Sequence, residues 1–212
     1  MLAEESDALR LTDLRAAHIH GGDGANNISV QGVGVGVELA GGGLPIVERL
    51  LVHDVDGSAA YGLGLSGQTI VRVRRATIAA LTSSAEPEED DSAGIHVGAG
   101  ITATIEDSIV TETARWGVLN HADNLPEDAR LTGLLVWLPD AEGDVLEVAP
   151  ALREQPIFFN PLVDDYRLRA NSPGVDGGTL DCDGEPVCEE KPCLSDLGYF
   201  AGTDDAEALC GD

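Results

Sequence analysis

The sequence predicts an all-β chain built as a parallel solenoid, a β-helix of about five coils, with a C-terminal cap stapled by disulfides. Three observations predict it. A short strand frame recurs with a period of 26 residues, a second, glycine-led strand recurs between its copies, and all four cysteines fall within the last 31 of the 212 residues. Hydrophobic residues make up 43% of the chain, enough for a packed core, and alternation by two rather than a helical period runs through the repeats.

The first frame places an apolar anchor before two polar or small residues and a mainly apolar group. It reads Leu11-Thr12-Asp13-Leu14-Arg15-Ala16, then Val47-Glu48-Arg49-Leu50-Leu51-Val52, Val73-Arg74-Arg75-Ala76-Thr77-Ile78, Ile105-Glu106-Asp107-Ser108-Ile109-Val110 and Leu131-Thr132-Gly133-Leu134-Leu135-Val136. The anchors lie 36, 26, 32 and 26 residues apart, and a further 26 reaches Ile157. A period of 26 with two insertions follows. Between anchors come Gly34-Val35-Gly36-Val37, Gly62-Leu63-Gly64-Leu65, Gly94-Ile95-His96-Val97 and Gly117-Val118-Leu119, where glycine at a fixed place marks a tight corner. Stacking such coils at a strand spacing of about 4.8 Å makes a continuous core of the column Leu11, Val47, Val73, Ile105, Leu131, Ile157. Residues 9–158 form the coils, 159–212 the closing segment with its cysteine-rich loop, and 1–8 a remnant or linker.

Counting from the anchors shows which polar groups stack. One place on, the column is Thr12, Glu48, Arg74, Glu106, Thr132, and two places on it is Asp13, Arg49, Arg75, Asp107, Gly133, so opposite charges meet across coils. This is expected to be a structural ion ladder, with an arginine clamp for an acidic sugar as its functional rival. Seven places on, the column is His18, Asp54, Ala80, Glu112, Leu138, a histidine and two carboxylates on one edge. The insertions add His18, His20, Asp23, Asn26 and Asn27, then Glu86, Glu88, Glu89, Asp90 and Asp91, to that edge.

Such a density of hard oxygen ligands suggests calcium, with a solvated acidic rim as the plainer reading. The candidate calcium ligands are Asp23, in a single glycine-rich nonapeptide, Asp54, Glu112, and Asp181, Asp183 and Glu185 in the cysteine-rich loop. No other metal is expected, because Cys182-x5-Cys188-x4-Cys193 is not a zinc spacing. Cys182, Cys188, Cys193 and Cys210 are read as two disulfides, with three pairings open. The candidate catalytic residues are His53, Asp54 and Asp56, the densest acid-base trio, with Arg75. His96 alternates with inward Ile95 and Val97 and is expected to face outward.

The repeats resemble those of right-handed parallel β-helix proteins, the pectate-lyase-like group. The end of the chain is similar to the closing segment of secreted bacterial β-helix proteins. Pro156-Ile157-Phe158-Phe159-Asn160-Pro161, Asp165-Tyr166-Arg167-Leu168, Asn171-Ser172-Pro173-Gly174-Val175-Asp176-Gly177-Gly178 and Asp196-Leu197-Gly198-Tyr199-Phe200 carry that similarity. The resemblance implies a right-handed solenoid whose C-terminus closes it, and it implies no single reaction, since the group holds lyases, hydrolases, epimerases and non-enzymatic surface proteins.

Charge narrows the partners. With 12 Lys and Arg against 38 Asp and Glu, the net charge is −26, which repels nucleic acid and anionic lipid surfaces. No run of eighteen apolar residues is present to cross a membrane. Met1-Leu2-Ala3-Glu4-Glu5-Ser6-Asp7 lacks the features of an export signal, whereas the cysteines suit an oxidising compartment. The expectation reconciling these is a secreted or cell-surface protein with further coils and a signal upstream. The expected function is a non-catalytic extracellular scaffold or carbohydrate- or surface-binding module, assisted by calcium, with polysaccharide or a cell-surface component as partner. The alternative is the C-terminal portion of a polysaccharide lyase or glycoside hydrolase acting on acidic polysaccharide.

Overall fold

The computed structural model describes residues 10–20, 33–40, 44–67, 70–84, 91–120, 130–137, 152–175, 178 and 197–198. Five long strands form one sheet: β1 (Arg10–His20), β3 (Ile46–Gly57), β5 (Ile70–Ser83), β7 (Thr102–Thr111) and β9 (Arg130–Trp137). Four shorter ones form a second: β2 (Gly34–Ala40), β4 (Ala60–Ser66), β6 (Ala93–Val97) and β8 (Trp116–Asn120). Every neighbouring pair in both sheets is parallel and two strands apart in sequence, so the chain visits the sheets alternately. The fold is therefore all-β and compatible with a β-helix-like solenoid. A closing antiparallel pair, β10 (Phe158–Asn160) and β11 (Asp165–Leu168), flanks a single 3-10 turn at Pro161–Val163.

The register reproduces the repeat frame. Leu11 pairs with Val47, Val47 with Val73, Val73 with Ile105 and Ile105 with Leu131. Ile157 does not extend this column. The strand that follows β9 in the ladder is a bridge between Leu135 and Leu152, while the Ile157 amide donates to Ser172 Oγ and its carbonyl accepts from Arg169 N. The 26-residue step fails there because the chain leaves the parallel ladder and turns into the antiparallel pair.

The long strands are not straight. Each carries left-handed residues at fixed places: Asp13, Arg49, Arg75, Asp107 and Gly133 two places after the anchor, and His18, Asp54, Ala80 and Glu112 seven places after it. A left-handed residue turns the strand and moves the in-out alternation on by one. In β3, Val47, Leu50, Val52 and Val55 consequently join the core that lies between the two sheets, with Leu63, Leu65, Ile95, Val97 and Val118 from the facing sheet. We call the two left-handed columns the first and second corners. Glycine and aspartate accept that conformation readily, but arginine and alanine do so at a cost of about 1 kcal/mol or more.

The recurring glycines have a different cause from the corner expected of them. Gly36, Gly62 and Gly94 do not have positive φ. A Cβ on Gly62 would collide with Ile78 Cγ2 and lie 2.7 Å from the Gly94 carbonyl oxygen, and Gly36 and Gly94 meet Val52 and Val110 in the same way. The two sheets approach so closely along this line that only hydrogen fits.

The closing segment covers the outer side of the long sheet between its corners. Tyr166 and Phe158 pack on Leu51 and Ala79, and Leu197, Leu168, Phe158 and Trp137 pack on Ile109 and Leu135. Buried residues on both faces of β3, β7 and β9 explain why their central stretches read as unbroken apolar runs, such as Leu50-Leu51-Val52. In β1 the equivalent outer residue is the exposed Arg15. His96 is half-buried between the buried Ile95 and Val97, with its ring 4.7 Å from that of Tyr61.

Candidate functional site

The second corner gathers the chemistry. Ala17 pairs with His53 and Ile19 with Val55, which sets the left-handed His18 and Asp54 side by side on adjacent strands. The closing segment then delivers two more groups. Its 3-10 turn ends at Asp164, itself left-handed with its amide donating to the Pro161 carbonyl, and β11 follows with Tyr166.

His53 Nδ1 lies 2.8 Å from Asp54 Oδ2 and 3.8 Å from Asp164 Oδ1. His18 Nδ1 lies 3.5 Å from Asp54 Oδ2, and its Nε2 is 3.8 Å from Asp164 Oδ2. One ligand atom each from His18, Asp54 and Asp164 fall within 4.8 Å of one another. Behind them the His53 ring, its side chain 4% exposed, packs edge-on to His18 at 5.6 Å and tilted against Tyr166 at 4.9 Å. Phe158 abuts Tyr166 at 5.2 Å. A wall of rings thus fixes His53, and through it the Asp54 carboxylate, from the protein side.

The electrostatics of this corner are dominated by carboxylates. Burial pushes the Tyr166 phenol well above its ordinary pKa, and the charges of Asp54, Glu112 and Asp164 push it further, so it stays protonated. No Lys or Arg among the described residues pairs with any of those three carboxylates. Elsewhere arginines do pair: Arg10 with Glu48, Arg49 with Asp13, Arg74 with Glu106 and Arg167 with Asp165. Burial alone would raise the Glu48 carboxyl, but the hydrogen bond and charge of Arg10, with the charges of Arg75 and Arg74, hold it below its usual range. The two-pronged hydrogen bond from Arg167 likewise lowers Asp165.

Among the sequence candidates, His53 and Asp54 meet here, whereas Asp56 pairs with His20 at 2.8 Å. Glu112 stands on the same corner column, separated from Asp54 by Ala80, and acts on Tyr166. Arg75 stands at the first corner and no hydrogen bond or ion pair among the described residues joins it to the cluster. It is 8% exposed, lies 3.8 Å from Glu48, and its Nε and Nη2 are buried without an acceptor. The ladder register is as counted, but Arg74 bonds Glu106 at 2.7 Å, with Arg72 joining at 3.4 Å, while Glu48 turns to Arg10 and Arg75. Asp23, Asp181, Asp183 and Glu185 and the four cysteines, Cys182, Cys188, Cys193 and Cys210, lie outside the described residues, as do most of the acidic insertions.

Asp164 and Tyr166 were not legible as site residues, since the closing segment occurs once and no column count reaches it. The available signal was the Asp165-Tyr166-Arg167-Leu168 stretch, whose tyrosine alternates between polar neighbours and so had to be buried against something. Chemically, the corner offers a mixed nitrogen and oxygen donor set within 4.8 Å, a buried imidazole, and a phenol that keeps its proton. Comparison of the chain with family models, with curated proteins and with solved structures found no match.

Proposed function

We propose that the chain is a right-handed parallel β-helix closed by a disulfide-stapled cap, pectate-lyase-like in its repeats, and that it is a non-catalytic binding scaffold of a secreted or cell-surface protein. Its partner on this reading is a polysaccharide or another cell-surface component, held with the help of a bridging divalent cation. The observation that carries it is the spacing at the second corner. The ligand atoms of Asp54 and Asp164 lie within 4.8 Å of each other and of His18. Glycosidase carboxyl pairs stand about 5–5.5 Å apart in retaining enzymes and about 6.5–9.5 Å in inverting ones, because a sugar or a water must fit between them. Two carboxylates whose ligand atoms converge in this way with a histidine nitrogen suit a cation. A cation also answers the charge problem, since a protein at −26 holds an acidic polysaccharide only through a positive bridge. Calcium is the ion the acidic edge first suggests.

One observation favours the enzymatic alternative, a lyase or hydrolase on acidic polysaccharide. The buried donors of Arg75 that lack an acceptor would suit a carboxylate of the substrate. The test is to titrate the chain with pectate, alginate and a neutral glucan, reading binding by calorimetry and turnover by unsaturated uronates and new reducing ends. Binding without turnover is expected. Product formation that disappears in Asp54→Asn or Arg75→Gln, or failure to bind any of the glycans or intact cell walls, would overturn the scaffold reading.

A further inference from the structure

We infer that His18, Asp54 and Asp164 form a site for a divalent transition-metal ion of the zinc class, and that the ion fastens the closing segment to the first two strands of the long sheet. The inference rests on the cation-assisted part of the reading above and names the ion class.

Three observations lead to it. The donor set is one imidazole nitrogen and two carboxylates, with all donor atoms within 4.8 Å. Calcium asks for six to eight oxygens at 2.3–2.6 Å and has little use for imidazole, whereas zinc and its neighbours accept mixed nitrogen and oxygen sets with three protein ligands and an open position. The second observation is the missing counter-charge. Among the described residues Asp54, Glu112 and Asp164 have no Lys or Arg partner, and neither do Asp56 and Glu38, whereas Glu48, Glu106, Asp13 and Asp165 do; what sets this corner apart is that two such carboxylates, Asp54 and Asp164, stand together beside a histidine. A dication at this corner neutralises what the chain itself leaves uncompensated.

The third is the support behind the ligands. His53 is nearly fully buried, and its Nδ1 donates to Asp54 Oδ2 at 2.8 Å. That hydrogen bond orients the carboxylate, as outer partners of metal ligands do, and the oxygen it holds is the one nearest His18. His18 faces Asp54 with one nitrogen and Asp164 with the other, so its exposed ring turns to bring a single nitrogen to an ion shared with both carboxylates. The ligands come from β1, from β3 and from the turn before β11. An ion bound to all three therefore ties parts of the chain more than a hundred residues apart.

The experiment uses the full chain without an affinity tag, together with His18→Asn and Asp164→Asn. Asparagine is chosen because it tolerates the left-handed backbone of both positions. Zinc and cobalt(II) are titrated by calorimetry and by the cobalt d–d spectrum, with calcium in parallel, and hydrogen exchange is followed over residues 158–175. One high-affinity equivalent is expected in the parent, with a cobalt spectrum free of thiolate charge transfer. Both variants should lose more than the roughly 10–100-fold that removal of an outer hydrogen-bond partner costs. Zinc should also slow exchange in the closing segment of the parent only. Unchanged zinc affinity in both variants, a thiolate spectrum, or tighter binding of calcium than of zinc would overturn the inference. Glycan binding is read in the same samples with and without chelator. Its absence throughout would overturn the scaffold reading alone, while its presence beside equal metal affinity in all three proteins would overturn the metal site alone.

Discussion

Replacing Arg74 with glutamate separates a structural ladder from a ligand clamp. Arg74 is flanked in the register by Glu48 on β3 and Glu106 on β7, and it bonds Glu106 at 2.7 Å. The side chains are 24% exposed for Arg74 and 16% for Glu106, so the pair is partly shielded from solvent. Loss of such a pair costs about 0.5–1 kcal/mol. The new carboxylate then faces a like charge on each side at about 4.8 Å strand spacing, adding about 0.2–1 kcal/mol apiece. Arg74→Glu should therefore destabilise by about 1–3 kcal/mol, or a fall in melting temperature of about 3–10 °C for a chain of this size. The assay is thermal unfolding by circular dichroism at low salt and near 1 M salt, where the Debye length is about 3 Å. The loss should shrink markedly at high salt, with glycan binding of the folded protein unchanged. A loss indifferent to salt would refute the electrostatic account, and unchanged stability with abolished binding would make this face the binding site.

Two further substitutions test the closing segment. Leu135→Ala removes a fully buried side chain on the outer face of β9 and should cost about 2–5 kcal/mol, with faster amide exchange at Leu197 and Gly198, whose amides donate to Gly174 and Asp107; unchanged exchange there would mean that the cover does not depend on this contact. Tyr166 is raised above the unfolded phenol's value of about 10, so the stability linked to it is full below that pH and is lost as pH rises toward the folded value. Tyr166→Phe should accordingly flatten the fall in urea midpoint above pH 10, and parallel slopes for parent and variant would show that the phenol is not held protonated by this corner.

How far the sequence is legible follows from what repeats. Leu11, Val47, Val73, Ile105 and Leu131 were found as a column because a parallel ladder stacks equivalent residues, so their identity is averaged over five strands. The same counting put His18, Asp54 and Glu112 on one edge. It could not show that these places are corners, because Arg49, Arg75 and Ala80 hold left-handed backbone that their side chains do not favour, and tertiary packing overrides the local preference. The period of 26 points to Ile157, but the chain leaves the column before it, so no stacking partner constrains that residue to the repeat. Asp164 and Tyr166 escaped because their partners lie far away in sequence. The glycines were seen, but their reason, the closeness of Val52, Ile78 and Val110 across the interior, is a property of two sheets and not of either one.

The corner columns have a consequence for how such a chain can acquire new chemistry. A residue at the second corner belongs to neither the inward nor the outward alternation and is at least partly exposed, so exchanging its side chain leaves the packed interior as it was, unlike the first corner, where Arg75 and Asp107 are buried. Each additional coil brings one more such place into line with the last, about a strand spacing further along the stack. Ala80 marks one that currently carries no functional group, between Asp54 and Glu112. Aspartate there would ease the left-handed backbone and join two acidic groups into an unbroken row. A binding edge in this architecture can thus be lengthened or rewritten one position at a time, with folding and recognition evolving on separate sets of residues.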